Sequence, residues 1–119
     1  MDDSKILIVE DEFIVATDLK LRLEDMGHEI VGIEGDGKSA IKKTLETEPD
    51  LILMDITLKG ELDGIETAQQ IQNFYDVPFI YLSGSNDTTT IERAKITEPS
   101  GYISKPFVDK RIEKALEMV

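Results

Sequence analysis

The stretch Leu51-Ile52-Leu53-Met54-Asp55 sets four apolar residues directly before a single carboxylate. Pro49-Asp50 precedes it, and Gly60 and Gly64 punctuate the segment behind it. An unbroken apolar run of this length between turn signals predicts a strand buried on both faces. Such strands belong to parallel sheets, where helices cover both sides. Asp55 is then predicted at the carboxyl end of a central strand, the edge at which open α/β sheets bind ligands.

The rest of the chain repeats this grammar. Ile6-Leu7-Ile8-Val9 is a second doubly buried strand and ends in Glu10-Asp11-Glu12. Val15, Leu19, Leu23 and Met26 follow at helical spacing, and Gly27 stops the helix. Glu29 to Ile33 reads as a shorter, partly polar strand. Lys38 to Thr47 reads as a helix with Ala40, Ile41 and Leu45 inward and Pro49 closing it. A helix from about Gly64 carries Ile65, Ala68, Ile71 and Tyr75 on one face, and Pro78 to Leu82 is another apolar strand ending in Ser83-Gly84-Ser85. Asn86 to Thr97 is a helix with few anchors, chiefly Ile91 and Ala94, and its Thr88-Thr89-Thr90 run forms helix poorly. Gly101 to Ser104 is a short strand before Lys105-Pro106, and Val108, Ile112, Ala115 and Val119 mark the last helix.

Five β-α repeats without linkers predict an α/β fold: a doubly wound, five-stranded parallel sheet with right-handed crossovers, spanning residues 1–119 as one domain. The shorter, more polar strands two and five fall at the edges, giving the order 2-1-3-4-5. The absence of cysteine accords with a reducing compartment. No stretch approaches the ~20 apolar residues of a membrane helix, and Met1-Asp2-Asp3-Ser4-Lys5 is no signal-peptide start. A cytoplasmic, membrane-free setting is the expectation. The net charge of −12 argues against direct nucleic-acid binding.

In this strand order Glu10, Asp11 and Asp55 converge, because neighbouring strands lie ~4.8 Å apart. Two like charges ~4 Å apart cost about 4 kcal/mol at an effective dielectric near 20, so such a cluster calls for a hard cation or a shifted pKa. Mg²⁺ suits carboxylates, a backbone carbonyl and water, and Mn²⁺ takes the same donors. Ser83 and Lys105 reach the same edge from strands four and five. Carboxylate nucleophile, cation and ammonium together point to phosphoryl transfer.

The segments Ile6-Leu7-Ile8-Val9-Glu10-Asp11-Glu12, Met54-Asp55-Ile56, Asp63-Gly64, Ser83-Gly84 and Ser104-Lys105-Pro106-Phe107 resemble the receiver domain of two-component response regulators, over the whole chain and in order. The resemblance implies that Asp55 is the phosphoacceptor, charged by a phosphohistidine on a sensor histidine kinase or phosphotransfer protein. It implies that Asp11, Asp55 and the Thr57 backbone carbonyl ligate Mg²⁺, with Glu10 acting mostly through water. Lys105 would contact the phosphoryl oxygens, Ser83 would reorient to hydrogen-bond them, and Tyr102 would swing inward behind it. The face of helix four, strand five and helix five would be the output face. The resemblance also implies a cis Lys105–Pro106 bond and a regulatory rather than catalytic role.

Two departures stand out. The acidic pair is Glu-Asp rather than the commoner Asp-Asp. The loop after Asp55 lacks the usual proline and is one residue longer, a form that resembles receivers attached to sensor kinases. His28, the only histidine, is predicted to be solvated and is no phosphodonor. A flavodoxin-like module is disfavoured because Glu10-Asp11-Glu12 would repel a phosphate. A phosphatase of the haloacid-dehalogenase type is disfavoured because Thr57 stands where its general acid belongs. A phosphorylation-independent docking module is the remaining rival. The end at Val119, inside the last predicted helix, is compatible with a single-domain regulator and with a piece of a larger protein.

In the family the residues two after the phosphoacceptor and two after the Ser/Thr tune hydrolysis of the aspartyl phosphate. Here they are Thr57 and Ser85, neither an acid nor an amide. Slow self-dephosphorylation is therefore expected; a phosphoryl half-life of only seconds, followed by intact mass, would contradict it.

Overall fold

The computed structural model describes residues 4–84 and 88–119. The elements run β1(Lys5–Val9), α1(Phe13–Asp25), β2(Glu29–Glu34), α2(Gly37–Thr47), β3(Leu51–Asp55), α3(Gly64–Gln72), β4(Phe79–Ser83), α4(Thr88–Ala94), a 3-10 turn (Lys95–Thr97), β5(Gly101–Ser104) and α5(Asp109–Leu116). The strands form one parallel sheet in the order β2-β1-β3-β4-β5. Fold class and strand order are those read from the apolar runs.

Alternation along the buried strands splits the core into two layers. Ile6, Ile8, Leu51, Leu53, Ile80 and Leu82 pack with Leu19, Leu23, Ile112 and Leu116 of α1 and α5. Leu7, Val9, Ile52, Met54, Phe79 and Tyr81 face the other way, onto Ala40, Ile65, Ala68, Ile71 and Ala94 of α2, α3 and α4. All five residues of β3 are buried, which removes each apolar side chain from water at a gain of about 1.5–3 kcal/mol. β2 at the edge is half-buried, and its register with β1 slips between Ile6 and Leu7, so that Ile6 faces Ile30 while Leu7 faces Gly32.

Helix ends follow local chemistry. Gly27, at φ +94°, ends α1, its N–H donating to the Glu24 carbonyl at 3.0 Å. The Asp36 carboxylate accepts the Ser39 N–H at 2.8 Å at the start of α2. Asp63 and Glu66 form a capping box on α3: the Asp63 side chain accepts the Glu66 N–H at 2.8 Å, and the Glu66 carboxylate accepts the Asp63 N–H at 2.9 Å.

Several expectations change. Leu45 is 62% exposed, and Thr44 takes the inward position by donating its hydroxyl to the Ala40 carbonyl at 2.8 Å. Val108 and Val119 lie outside α5 and are exposed, while Leu116 packs inward, because Ile112 and Ala115 set the helix phase. Tyr75 falls beyond the end of α3 and donates its hydroxyl to the Pro49 carbonyl at 2.9 Å. His28 is buried, not solvated, because its N–H turns back onto the Leu23 carbonyl at 3.1 Å and the chain enters β2 directly. The helix read from Asn86 begins among residues outside the described ones, and its last turn is 3-10 rather than α. No helix among the described residues is long and apolar enough to cross a membrane.

Gly64 opens α3 directly on β3. A Cβ there would collide with the Asp55 carbonyl oxygen, whereas one at Gly101 would meet nothing within 4 Å. Gly64→Ala is therefore expected to lower unfolding free energy by about 1–3 kcal/mol, read as a shift of the urea midpoint. Gly101→Ala, the internal comparison, is expected to stay within about 0.5 kcal/mol.

Candidate functional site

The parallel register delivers the acids to one edge. Val9 faces Met54 across β1 and β3, so Glu10 and Asp55, each one step further along its strand, arrive side by side. Glu10, Asp11 and Asp55 each offer a carboxylate oxygen, and these oxygens lie within 4.8 Å of one another. Glu10 and Asp55 are buried, and Asp11 is the more open of the three.

β5 supplies the counter-charge. The Lys105 N–H donates to the Ser83 carbonyl at 2.7 Å, continuing the β4–β5 ladder past its last pair, Ser83–Ser104. The Lys105–Pro106 bond is cis, and Phe107 beyond it is buried. The ammonium lies 2.8 Å from Glu10 Oε1 and 3.6 Å from Asp55 Oδ2, bridging the two buried carboxylates. Burial pushes the Glu10 carboxyl up to about 7 from 4.5, against the pull of Lys105 and the Glu12 amide, and the neighbouring Asp55 charge adds to the rise. Burial works to lower Lys105, but Glu10 and Asp55 outweigh it and hold the ammonium above the ordinary lysine value.

Asp55 is also held by its own loop. Its Oδ1 accepts the Thr57 N–H at 3.0 Å and the Thr57 hydroxyl at 3.2 Å. Its main-chain amide plane is fixed by Ile56 N–H donating to the Leu82 carbonyl at 3.0 Å, and by Gly64 packed against its carbonyl. Asp55 sits opposite Leu82, so the buried Ser83 lies one position beyond it on the neighbouring strand.

Asp55, Glu10, Asp11, Lys105 and Ser83 thus gather at the predicted edge. Thr57 is exposed and beside Asp55, where its backbone belongs to the same loop. Ser85 lies outside the described residues. Tyr102 is farther along, half-buried in β5, its ring stacked on Tyr81 at 6.0 Å between centroids. The donor set is entirely hard oxygen, and two of its three carboxylates are desolvated, which fits Mg²⁺ or Mn²⁺.

Two features escaped the sequence reading. The Thr57 hydroxyl contact to Asp55 involves a residue only two positions away, and the familiar Asp/Ser/Thr side-chain turn chemistry would have found it. The Arg93 guanidinium donates to Asp63 Oδ2 at 3.2 Å across thirty positions of sequence, which carries no local signal.

The family profile described as the response regulator receiver domain matches residues 6–117. The transcriptional regulatory protein PdtaR of Mycobacterium tuberculosis is 33% identical over 114 residues, covering 96% of this chain and 55% of the regulator. The probable C4-dicarboxylate response regulator DctR of Halalkalibacterium halodurans is 35% identical, covering 94% of this chain and 49% of its own. The chain therefore spans about half the length of these curated relatives. Among solved structures, the signal receiver domain of a modulated diguanylate cyclase from Desulfovibrio desulfuricans superposes with a TM-score of 0.91 at 36% identity, covering 98% of this chain and 93% of that one. Profile, sheet order and relatives agree: this chain belongs to the receiver-domain family of two-component response regulators.

Proposed function

We propose that residues 1–119 act as one receiver unit in which Asp55 accepts a phosphoryl group from a phosphohistidine partner and thereby switches an output. One observation supports this above the others: a buried carboxylate, two further acids and an ammonium share the carboxyl edge of the sheet. An Asp55 carboxylate oxygen attacks phosphorus, and an O–P bond forms as the N–P bond of the donor imidazole breaks, its electron pair remaining on nitrogen. The Thr57 N–H and hydroxyl orient the nucleophile, and Lys105, 3.6 Å from Oδ2, follows the transferred oxygens with its charge. Asp11, Asp55 and the Thr57 carbonyl would hold Mg²⁺ or Mn²⁺, with Glu10 reaching it through water. When bound, the ion offsets repulsion between the carboxylate and the phosphoryl oxygens.

After transfer, Ser83 hydrogen-bonds the phosphoryl group and Tyr102 moves inward, which biases the surface formed by α4, β5 and α5 toward its output partner. A groove of about 430 Å³ on that surface is lined by Tyr102, Ser104, Arg111, Lys114 and Met118. On the other side of the site, a cavity of about 690 Å³ between α1 and the turn after β5 is lined by Ile14, Val15, Asp18, Lys105 and Phe107. Ile14 is 84% exposed there, offering apolar contact to a histidine-bearing partner next to Asp55. The role is regulatory: the chain is modified rather than turning over a substrate.

Intact mass after incubation with acetyl phosphate tests the reading. One added phosphoryl group is expected, requiring Mg²⁺ and absent in Asp55→Asn. No addition under any condition would favour a docking module that works without phosphorylation.

Glu10 makes the metal-free protein pH-sensitive. Its folded pKa lies above its unfolded value of 4.5, so the folded state holds the proton more tightly between 4.5 and about 7. The contribution of Glu10 to stability is then full below 4.5 and is lost as pH rises through 7. In chelator-containing buffer, Glu10→Gln is expected to gain on the wild type by on the order of 1–3 kcal/mol between pH 5 and pH 8, measured by urea unfolding. An equal gap at both pH values would contradict a raised Glu10.

A further inference from the structure

α4 is lightly held. Of its described side chains only Ala94 is fully buried, and Thr90 and Ile91 are partly so. Its C-terminal end, by contrast, is fastened from two directions. The buried Thr97 hydroxyl donates to the Ala94 carbonyl at 2.7 Å, so the Tyr81 hydroxyl, 2.7 Å away, is the donor to Thr97. Gln72 Nε2 of α3 donates to the Thr97 carbonyl at 2.7 Å. β4 and α3 together therefore fix the 3-10 turn.

Among the described residues, a further bond ties the body of α4 to another element. Arg93 Nη2 donates to Asp63 Oδ2 at 3.2 Å. Asp63 is well placed to receive it, because the capping box uses only its Oδ1 and leaves Oδ2 for the guanidinium. Asp63 also directly precedes Gly64, which packs on the Asp55 carbonyl. The ion pair thus joins α4 to the segment that rests on the main chain of the candidate phosphoacceptor.

We infer that Arg93–Asp63 is a latch that holds α4 in its resting position, with Thr97 as the fixed end about which the helix moves. The regulatory half of this inference rests on Asp55 being the phosphoacceptor; the latch itself belongs to the resting chain. A ligand or modification shifts a two-state element only through interactions that differ between the states, and the latch requires this pair to be made at rest and broken when α4 moves. Side-chain exposures of 55% for Arg93 and 29% for Asp63 put its worth in the range of exposed pairs, about 1.4- to 5-fold in the equilibrium. That size suits a bias: it favours the resting position without resisting a phosphoryl group that carries about two negative charges.

The test uses Arg93→Gln and Asp63→Asn. Asparagine caps a helix as well as aspartate does, so the second change removes the charge and keeps the cap. Hydrogen exchange of the unphosphorylated full chain is expected to quicken about 1.4- to 5-fold in α4 in either variant, with α1 and α5 unchanged. The double variant is expected to match the singles, and roughly 1 M salt to erase the difference. The same pattern is expected in an Asp55→Asn background, so the latch is decided whether or not Asp55 accepts phosphate. With acetyl phosphate, both single variants are expected to be phosphorylated up to about 5-fold faster than the wild type. Unchanged α4 exchange, or additive effects of the two changes, would overturn the latch. Faster exchange with an unchanged phosphorylation rate would overturn its coupling to Asp55. Failure of the wild type itself to take phosphate would overturn the phosphoacceptor reading and leave the exchange result to decide the latch.

Discussion

The repulsion among Glu10, Asp11 and Asp55 is the constraint around which the sheet edge is arranged. Carboxylates this close oppose one another, and two of the three are stripped of water. The protein answers with Lys105, delivered from another strand and held by main-chain bonding to Ser83. It answers also by letting Glu10 keep its proton near neutrality. Neither answer removes the stress: Lys105 is nearer Glu10 than Asp55, so Asp55 Oδ2 is only loosely compensated while Oδ1 is held by Thr57. A site balanced in this way is suited to the added positive charge and to the phosphoryl group that the proposed function brings to it.

The scaffold makes that tension tolerable. The two core layers immobilise β1 and β3 from both faces, so the carboxylates cannot simply move apart. Around this rigid centre the parts differ in firmness. α3 begins with a full capping box and a glycine pressed onto β3, whereas α4 buries little beyond Ala94 and Ile91. A stiff acidic edge beside a lightly held helix is the division of labour that the proposed switch needs.

Much of this was legible in the residues. Continuous apolar runs named β1, β3 and β4, and their endings named Glu10, Asp55 and Ser83, because runs this short between turn residues fit strands buried on both faces better than helices. Helix faces were less legible where a polar residue could satisfy itself: Thr44 displaced Leu45 because its hydroxyl bonds back to Ala40. His28 went astray because a turn of Gly and His looks open, while the following strand folds it back onto α1. The Arg93–Asp63 and Tyr81–Thr97 contacts depend on which helices meet in space, and no periodicity encodes that.

The register slip in β2 bears on what happens between molecules. β2 is an edge strand, and an unbroken edge presents a ladder of free donors and acceptors to any other chain. The slip leaves Val31 as an extra residue of β2 between the partners of Ile6 and Leu7, which bends the strand near its start, and Glu29 and Glu34 place a carboxylate at each end. A second sheet approaching this edge would meet mismatched spacing and like charge in a chain already carrying −12. Crowded copies of this domain can therefore collide along β2 without zipping into a continuous sheet.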